Sequence, residues 1–254
     1  ASEVNGTERA IPALLLVWPE QMREHDGAPR KWDLLRRYLH EFVKDAAEHG
    51  IALSIEVIDS WANAAKAVKR FSQEHELTEL HFNAEYPVHE QRRDRAVKAV
   101  LEDHDIAVHQ HHGSLVVPPI ITTQAGSMYQ KFTPFAKAWR EYVSEKGLPS
   151  IAALPKRQPI QAPSIPEIDY PQRDSSAWEV GEAAAREALH RYLAESVDGY
   201  AAERDMPGLD TTSRLSPYWE LGILSPWQAV HLMAQQSPNF PAGLDKGADT
   251  WLNE

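Results

Sequence analysis

Between residues 11 and 110, short apolar runs alternate with amphipathic helical patterns, and this alternation narrows the possible folds more than any single motif does. Residues 11–18 are a continuous apolar run ending at Pro19, as expected of a strand buried on both faces of a parallel sheet. After a polar loop, residues 29–49 repeat Leu35, Tyr38, Leu39, Phe42 and Ala46 on one helical face, and Gly50 follows as the C′ cap. Residues 51–58, 79–83 and 106–110 read as further strands, with helices over 61–75 and 90–103 between them. Strand and helix in turn predict βαβ units and a doubly wound, Rossmann-like parallel sheet, an α/β fold. No Gly-x-Gly-x-x-Gly follows any of these strands, which argues against a dinucleotide on this part of the chain.

The pattern then changes. Residues 131–146 read as a helix with Phe132, Phe135, Ala136, Trp139 and Val143 on one face. Prolines at 149, 155, 159, 163, 166 and 171, with no apolar periodicity, predict an extended crossover over residues 147–172. From Trp178 onward only helical patterns follow, over 180–197 and 225–236. The expected organisation is an α/β domain over 1–146, a linker over 147–175 and a helical domain over 176–254. A chain of 254 residues without cysteine can hold two domains and has no disulfide, thiolate metal site or cysteine nucleophile. No run approaches the roughly 18–20 apolar residues of a transmembrane helix, and no signal-peptide pattern is present, so a soluble cytoplasmic protein is expected. The net charge of −11 weighs against a nucleic-acid binder, unless the DNA-facing groove lies outside this sequence.

Residues 199–226 are chemically the densest part. Ser216-Pro217 and Ser225-Pro226 each put a hydroxyl before a proline, the pattern of an N-cap followed by N1. Thr211, Thr212, Ser213, Arg214 and Ser216 gather four hydroxyls and a guanidinium in six residues, which reads either as a seat for a phosphate group or as a well-capped turn between helices. Tyr200 adds a phenol or a ring face nearby.

The series Tyr…Arg-Asp-x-Pro…Thr-Ser-Arg-Leu-Ser-Pro-Tyr…Gly-x-Leu-Ser-Pro over 199–226 resembles the flavin-binding entry of the DNA photolyase/cryptochrome family. Two further segments resemble that family independently: FNAEYPVHEQRRDRAV over 82–97, and MYQKFTPFAKAW over 128–139. Residues 249–254, Asp-Thr-Trp-Leu-Asn-Glu, look like the start of its Trp-Leu-x-Glu-Leu helix. The resemblance is closest to bacterial class I cyclobutane pyrimidine dimer photolyases. It implies an antenna domain followed by the start of an all-α FAD-binding domain, with the family's first strand and the C-terminal half of the FAD domain missing. The first strand of a doubly wound sheet is central, so the expectation includes a gap in the middle of the sheet, unpaired backbone on both sides of it and poor stability for this piece alone.

Carried over residue by residue, the resemblance implies FAD contacts at Tyr200, Thr212, Ser213, Arg214, Leu215, Ser216 and Trp251, with Arg214 pairing with a carboxylate rather than touching the flavin. Glu254 matches the carboxylate that faces the dimer's bases and is the expected catalytic and DNA-contacting residue. The antenna position, methenyltetrahydrofolate in much of the family, falls on His25, His89 and Glu90. His89 stands where Asn is expected, which leaves a deazaflavin or no antenna open. His25 also reads as a solvated loop histidine, and Glu90 as a carboxylate favoured by a helix N-terminus. His109, His111 and His112 form a histidine cluster with only Asp103 and Asp105 upstream as carboxylates; a strand end entering a loop accounts for it, and no metal is expected. Arg92, Arg93 and Arg95, beside Asp94 and Glu90, read as an ion-paired helix face.

The expected activity of the parent is light-driven repair of pyrimidine dimers in DNA by electron transfer from reduced FAD, by a monomer, with the piece itself inactive. A cryptochrome-type photoreceptor without repair activity, or a flavin-free nucleotide-binding or adaptor domain, are the alternatives.

Overall fold

The computed structural model describes residues 10–151, 154 and 157–254. The polar lead over residues 1–9 and Pro155 of the proline series lie outside the described residues. Two units result: one from the described parts of 1–111 and 152–181, the other from 112–151 and 182–254.

The first unit runs β1 (Ile11–Val17), α1 (Pro19–Glu24), α2 (Pro29–Glu48), β2 (Ile51–Val57), α3 (Ala64–Glu74), β3 (Glu79–Asn83), α4 (Val88–Glu102) and β4 (Ala107–His111). The alternation expected from sequence is present, with one addition. Residues 19–24, expected as part of a polar loop, form the short helix α1, because Pro19 both stops β1 and occupies the first helical turn, where its missing N–H costs nothing. Gly50 takes φ +68°, a left-handed conformation that turns the chain from α2 directly into β2.

β1 pairs in parallel with β2, Ile11 opposite Ile51, and β3 pairs in parallel with β4, His81 opposite His109. Successive side chains of β1 point to opposite faces, and each face meets its own helix layer. Leu15 and Val17 pack with Trp32 and Leu35 of α2, while Leu16 packs with Ala64 and Ala67 of α3. Leu80 and Val108 close on Val97 and Leu101 of α4. Such burial is worth roughly 1.5–3 kcal/mol for each large aliphatic or aromatic side chain. The two strand pairs do not join. β1 and β3 flank a cavity of about 1090 Å³ whose walls include Leu14, Leu16, Leu80 and Phe82. This is the central gap expected from the strand order. Because Ile11 donates to Gly50 O and Ile58 to Val17 O, the odd-numbered amides of β1 face β2 and those of Leu14 and Leu16 face the cavity. Pro12, with no N–H to lose, also falls on this open edge.

Residues 157–181 contain no helix or strand but are fixed to α2. The Ile160 amide donates to Ala47 O (2.9 Å), and the Tyr170 hydroxyl donates to Gly27 O (2.6 Å). Ser175, fully buried, donates through its hydroxyl to Asp33 (2.6 Å), while Arg37 donates to the Ser175 carbonyl (2.8 Å).

The second unit is helical: α5 (Phe132–Lys146), α6 (Glu182–Glu195), α7 (Tyr200–Glu203), α8 (Ser216–Glu220), α9 (Pro226–Gln236) and α10 (Lys246–Leu252). The division differs from the expected boundary at residue 146, since α5 and the loop before it group with the helices that follow in sequence. The physical reason is visible in the contacts. The Trp227 indole N–H donates to Leu115 O, the Ser225 hydroxyl to Gly113 O (3.3 Å), and a His231 ring nitrogen lies 2.6 Å from Pro149 O. Arg140 of α5 donates to Pro241 O (2.7 Å) and Asn253 Oδ1 (3.0 Å) and pairs with Asp249 (2.9 Å), which ties α5 to α10.

Candidate cofactor site

The two Ser-Pro starts are built differently. Ser225 is a true N-cap, its hydroxyl accepting from Trp227 N (3.2 Å) while Gln228 Oε1 accepts from Ser225 N (2.8 Å), a closed capping box. Ser216 is not a cap. Leu215 is already helical at φ −86° and ψ −12°, so Ser216 falls inside the first turn of α8 and its hydroxyl makes no capping bond. The turn is made one residue earlier still, by Arg214 at φ +52°, a left-handed conformation that costs a residue with a Cβ about 1–2 kcal/mol. Its guanidinium is held by Asp210 at 2.7 Å, the carboxylate pairing expected of it.

This strained turn brings the loop side chains to one place. Tyr200, Thr212, Ser213, Arg214, Leu215, Ser216, Trp251 and Glu254 all line a single cavity of about 740 Å³ within the helical unit. The volume falls within the roughly 300–1,000 Å³ of small-molecule sites. Leu215 is fully buried, whereas Thr212, Arg214 and Ser216 are exposed. The Trp219 and Trp251 rings lie 6.0 Å apart, and Tyr192 sits behind Trp251 at 5.3 Å. Burial pushes the Tyr192 phenol well above its ordinary pKa, so it stays a neutral hydroxyl. Glu254, which lines the cavity, accepts from the Arg204 guanidinium.

The opposite wall was not legible as part of this site. Phe132, Phe135, Ala136 and Trp139 of α5, with Leu115 to Pro119 before it, complete the cavity. The sequence signal for them was the apolar face of α5 and the 128–139 segment, but nothing in spacing joins residues 80 positions from Ser216 to the same cavity.

The residues present suit a flavin nucleotide. The hydroxyls of Thr212, Ser213 and Ser216 suit a pyrophosphate, and the Trp219 and Trp251 rings that line the same cavity suit a planar heterocycle. Trp219, which lines the cavity, has a buried indole N–H with no hydrogen-bond partner among the described residues, a donor that a polar ligand can satisfy. α8 spans only five residues, so the hydroxyls and Arg214 carry the anion preference rather than a helix dipole.

A second cluster lies in the α/β unit. His25 and His89, far apart in sequence, come within 6.4 Å between ring centres, and Trp61 stands 6.2 Å from His25 and 5.9 Å from His89. Gln21 links them, its side-chain oxygen accepting from Trp61 N (3.2 Å) and its amide 3.4 Å from His25 Nε2. Trp61 Nε1 and Glu90 Oε2 are both buried without a hydrogen-bond partner among the described residues, a donor and an acceptor suited to a flat heterocycle. Trp61 was missed from sequence, where it reads only as the start of the helix over 61–75; it lies in the short 3-10 turn Trp61–Asn63 just before α3. Arg93 forms the expected ion pair, 2.7 Å from the buried Asp94 and 3.0 Å from Glu85.

Comparison with known proteins settles the family. The DNA photolyase family profile matches residues 5–159. The chain belongs to the DNA photolyase family. The deoxyribodipyrimidine photo-lyase of Escherichia coli is 32% identical over 263 aligned residues, covering 100% of this chain and 54% of that protein. The enzyme of the same name from Salmonella typhimurium is 34% identical, covering 96% and 52%. The photolyase-family chain thus spans about half the length of the curated relatives it matches. Among solved structures, a Synechocystis cryptochrome superposes with TM-score 0.72 at 20% identity over 96% of this chain and 53% of its own. An archaeal photolyase from Sulfolobus tokodaii, solved with two FAD molecules, gives 0.67 at 20% identity over 91% and 50%. At those identities the likeness shows the shared fold.

Proposed function

We propose that the protein carrying this chain is a flavin-dependent photolyase that repairs cyclobutane pyrimidine dimers in DNA under light. The observation that carries the reading is the convergence of Tyr200, Thr212, Ser213, Arg214, Ser216, Trp251 and Glu254 on one cavity. Reduced FAD, when bound there, supplies a single electron on excitation, and the protein's part is binding, orientation and electrostatics. The hydroxyls of Thr212, Ser213 and Ser216 hold the pyrophosphate, and Arg214, kept in its strained turn by Asp210, fixes the loop that presents them. Trp251 and Trp219 confine the planar ring system and keep water from it. Glu254, aimed by Arg204, accepts from the imide N–H of a flipped-out thymine and orients the lesion.

The cluster of His25, Trp61, His89 and Glu90 takes the light-gathering chromophore, a pterin such as methenyltetrahydrofolate. Glu90 accepts from its ring N–H groups, and the three side-chain rings pack around it. We assign the protein to the cytoplasm as a monomer; no helix among the described residues is long and apolar enough to cross a membrane.

An absorption spectrum of the purified full-length protein, followed by loss of dimers from irradiated oligonucleotide under blue light, tests the reading. Flavin bands together with light-dependent dimer loss are the expected result. Flavin bands with no dimer loss move the assignment to a photoreceptor of the same fold. A protein that takes up no flavin refutes the cofactor site itself.

A further inference from the structure

We propose that Glu79, His81 and His109 form a binding site for a divalent first-row transition ion of the zinc class, with His111 as the residue that positions His81. The site uses none of the residues of the cofactor cavity or of the cluster around Trp61.

The strand register creates it. β3 and β4 run parallel with His81 directly opposite His109, so the alternation of side chains places Glu79, His81, His109 and His111 on the same face. That face is turned away from α4, which packs on Leu80 and Val108. From sequence the histidines lacked a carboxylate at ligand spacing. Pairing with β3 supplies one, Glu79, from 30 positions upstream.

The distances fit an ion better than they fit hydrogen bonds. Glu79 Oε1 lies 3.6 Å from His81 Nε2, and Glu79 Oε2 lies 3.7 Å from His109 Nε2, both beyond a normal N–H···O contact. Two donor atoms bound to one tetrahedral ion at about 2.0–2.2 Å are roughly 3.4 Å apart, close to both carboxylate–imidazole separations. The His81 and His109 rings are stacked with centres 4.5 Å apart, and the Nε2 atoms of both lie near the Glu79 carboxylate. All three donors lie within 4.8 Å of one another.

His111 sets the tautomer. Its Nε2 is 3.0 Å from His81 Nδ1, and donation from Nδ1–H leaves the lone pair on His81 Nε2, the atom that faces Glu79. An outer partner that fixes a ligand's ring and tautomer is a regular part of histidine metal sites. Imidazole donors select zinc, nickel and copper over magnesium and calcium. The side chains of Glu79, His81 and His109 are about half exposed, at 60%, 51% and 47%, so an ion enters from solvent and keeps water in its remaining positions. Three protein ligands with an open position are the arrangement of exchangeable or catalytic zinc rather than of closed structural zinc.

Titration of the metal-stripped chain with zinc, followed by calorimetry, tests the proposal, with far-ultraviolet circular dichroism to show that each variant keeps its fold. The expected result is one zinc per chain, lost in the His81→Ala/His109→Ala double variant and severely weakened in Glu79→Gln. His111→Ala lowers affinity by about 10–100-fold without changing the stoichiometry, and His111→Gln, which keeps an acceptor, recovers part of the loss. The chain has 12 histidines, so the variants rather than zinc uptake alone decide the matter. Absence of zinc binding, or binding unchanged in the double variant, overturns the site. An unchanged affinity in His111→Ala overturns the positioning role.

Discussion

Arg204 and Glu254, 50 residues apart, meet as a guanidinium and a carboxylate, and Glu254 lines the cavity of the helical unit. The pair links the end of α7 to the second residue after α10, and both partners are partly exposed. On the proposed reading it aims the carboxylate. Glu254→Gln in the full-length protein is expected to lower light-dependent dimer repair by about tenfold or more, with flavin absorption unchanged. Arg204→Ala is expected to have a smaller effect and, in the chain itself, to speed amide exchange at Leu252 to Glu254 without shifting the melting temperature. Equal repair rates in Glu254→Gln and the parent would remove Glu254 from the reaction.

Gly247 is expected to tolerate no side chain. A Cβ built there falls inside contact distance of the carbonyl oxygens of Val197 and Asp198, 2.5 Å from the latter. α10 therefore docks backbone against backbone, and Trp251 and Glu254 depend on that docking. Gly247→Ala should lower stability by about 1–3 kcal/mol and alter Trp251 fluorescence. A melting curve and emission spectrum identical to the parent's would show that α10 reaches its place by other contacts.

Asp33 gives the α/β unit a pH dependence. Its carboxyl is held below the ordinary carboxylate range, chiefly by the Ser175 hydroxyl, with burial opposing and Arg36 assisting. A depressed carboxyl pKa contributes stability that is present above the unfolded value near 4 and is lost as pH falls through the folded value. Asp33→Asn should therefore cost about 1.5 kcal/mol in urea unfolding at pH 7, and the difference from the parent should close below about pH 4. A difference that stayed constant down to pH 3 would mean that the hydrogen bonds to Ser175 do not depend on the charge.

The cavity between β1 and β3 predicts a pattern in hydrogen exchange. Amides of Ala13 and Leu15, turned toward β2, should be protected, and those of Leu14 and Leu16 should exchange far faster. Uniform protection along β1 would show that the two strand pairs close on each other in solution.

The α/β alternation, all four strands and the main helices were legible in the sequence because each rests on local periodicity, which a chain carries without its tertiary partners. α1 was not, since six residues with one proline give no period to read. The residues of the cofactor site were legible only through family motifs, because the hydroxyl cluster at 211–216 is equally consistent with a capped turn. The structure alone decided that Ser216 is no cap, through the helical dihedrals of Leu215, and that α5 belongs with the helical unit, through bonds from Trp227, Ser225 and Arg140. It alone brought Trp61 beside His25 and His89, and Glu79 beside His81 and His109. Periodicity fixes which face of an element a side chain occupies. Which other element's face lies opposite is set by strand register and helix packing, and those are properties of the folded chain.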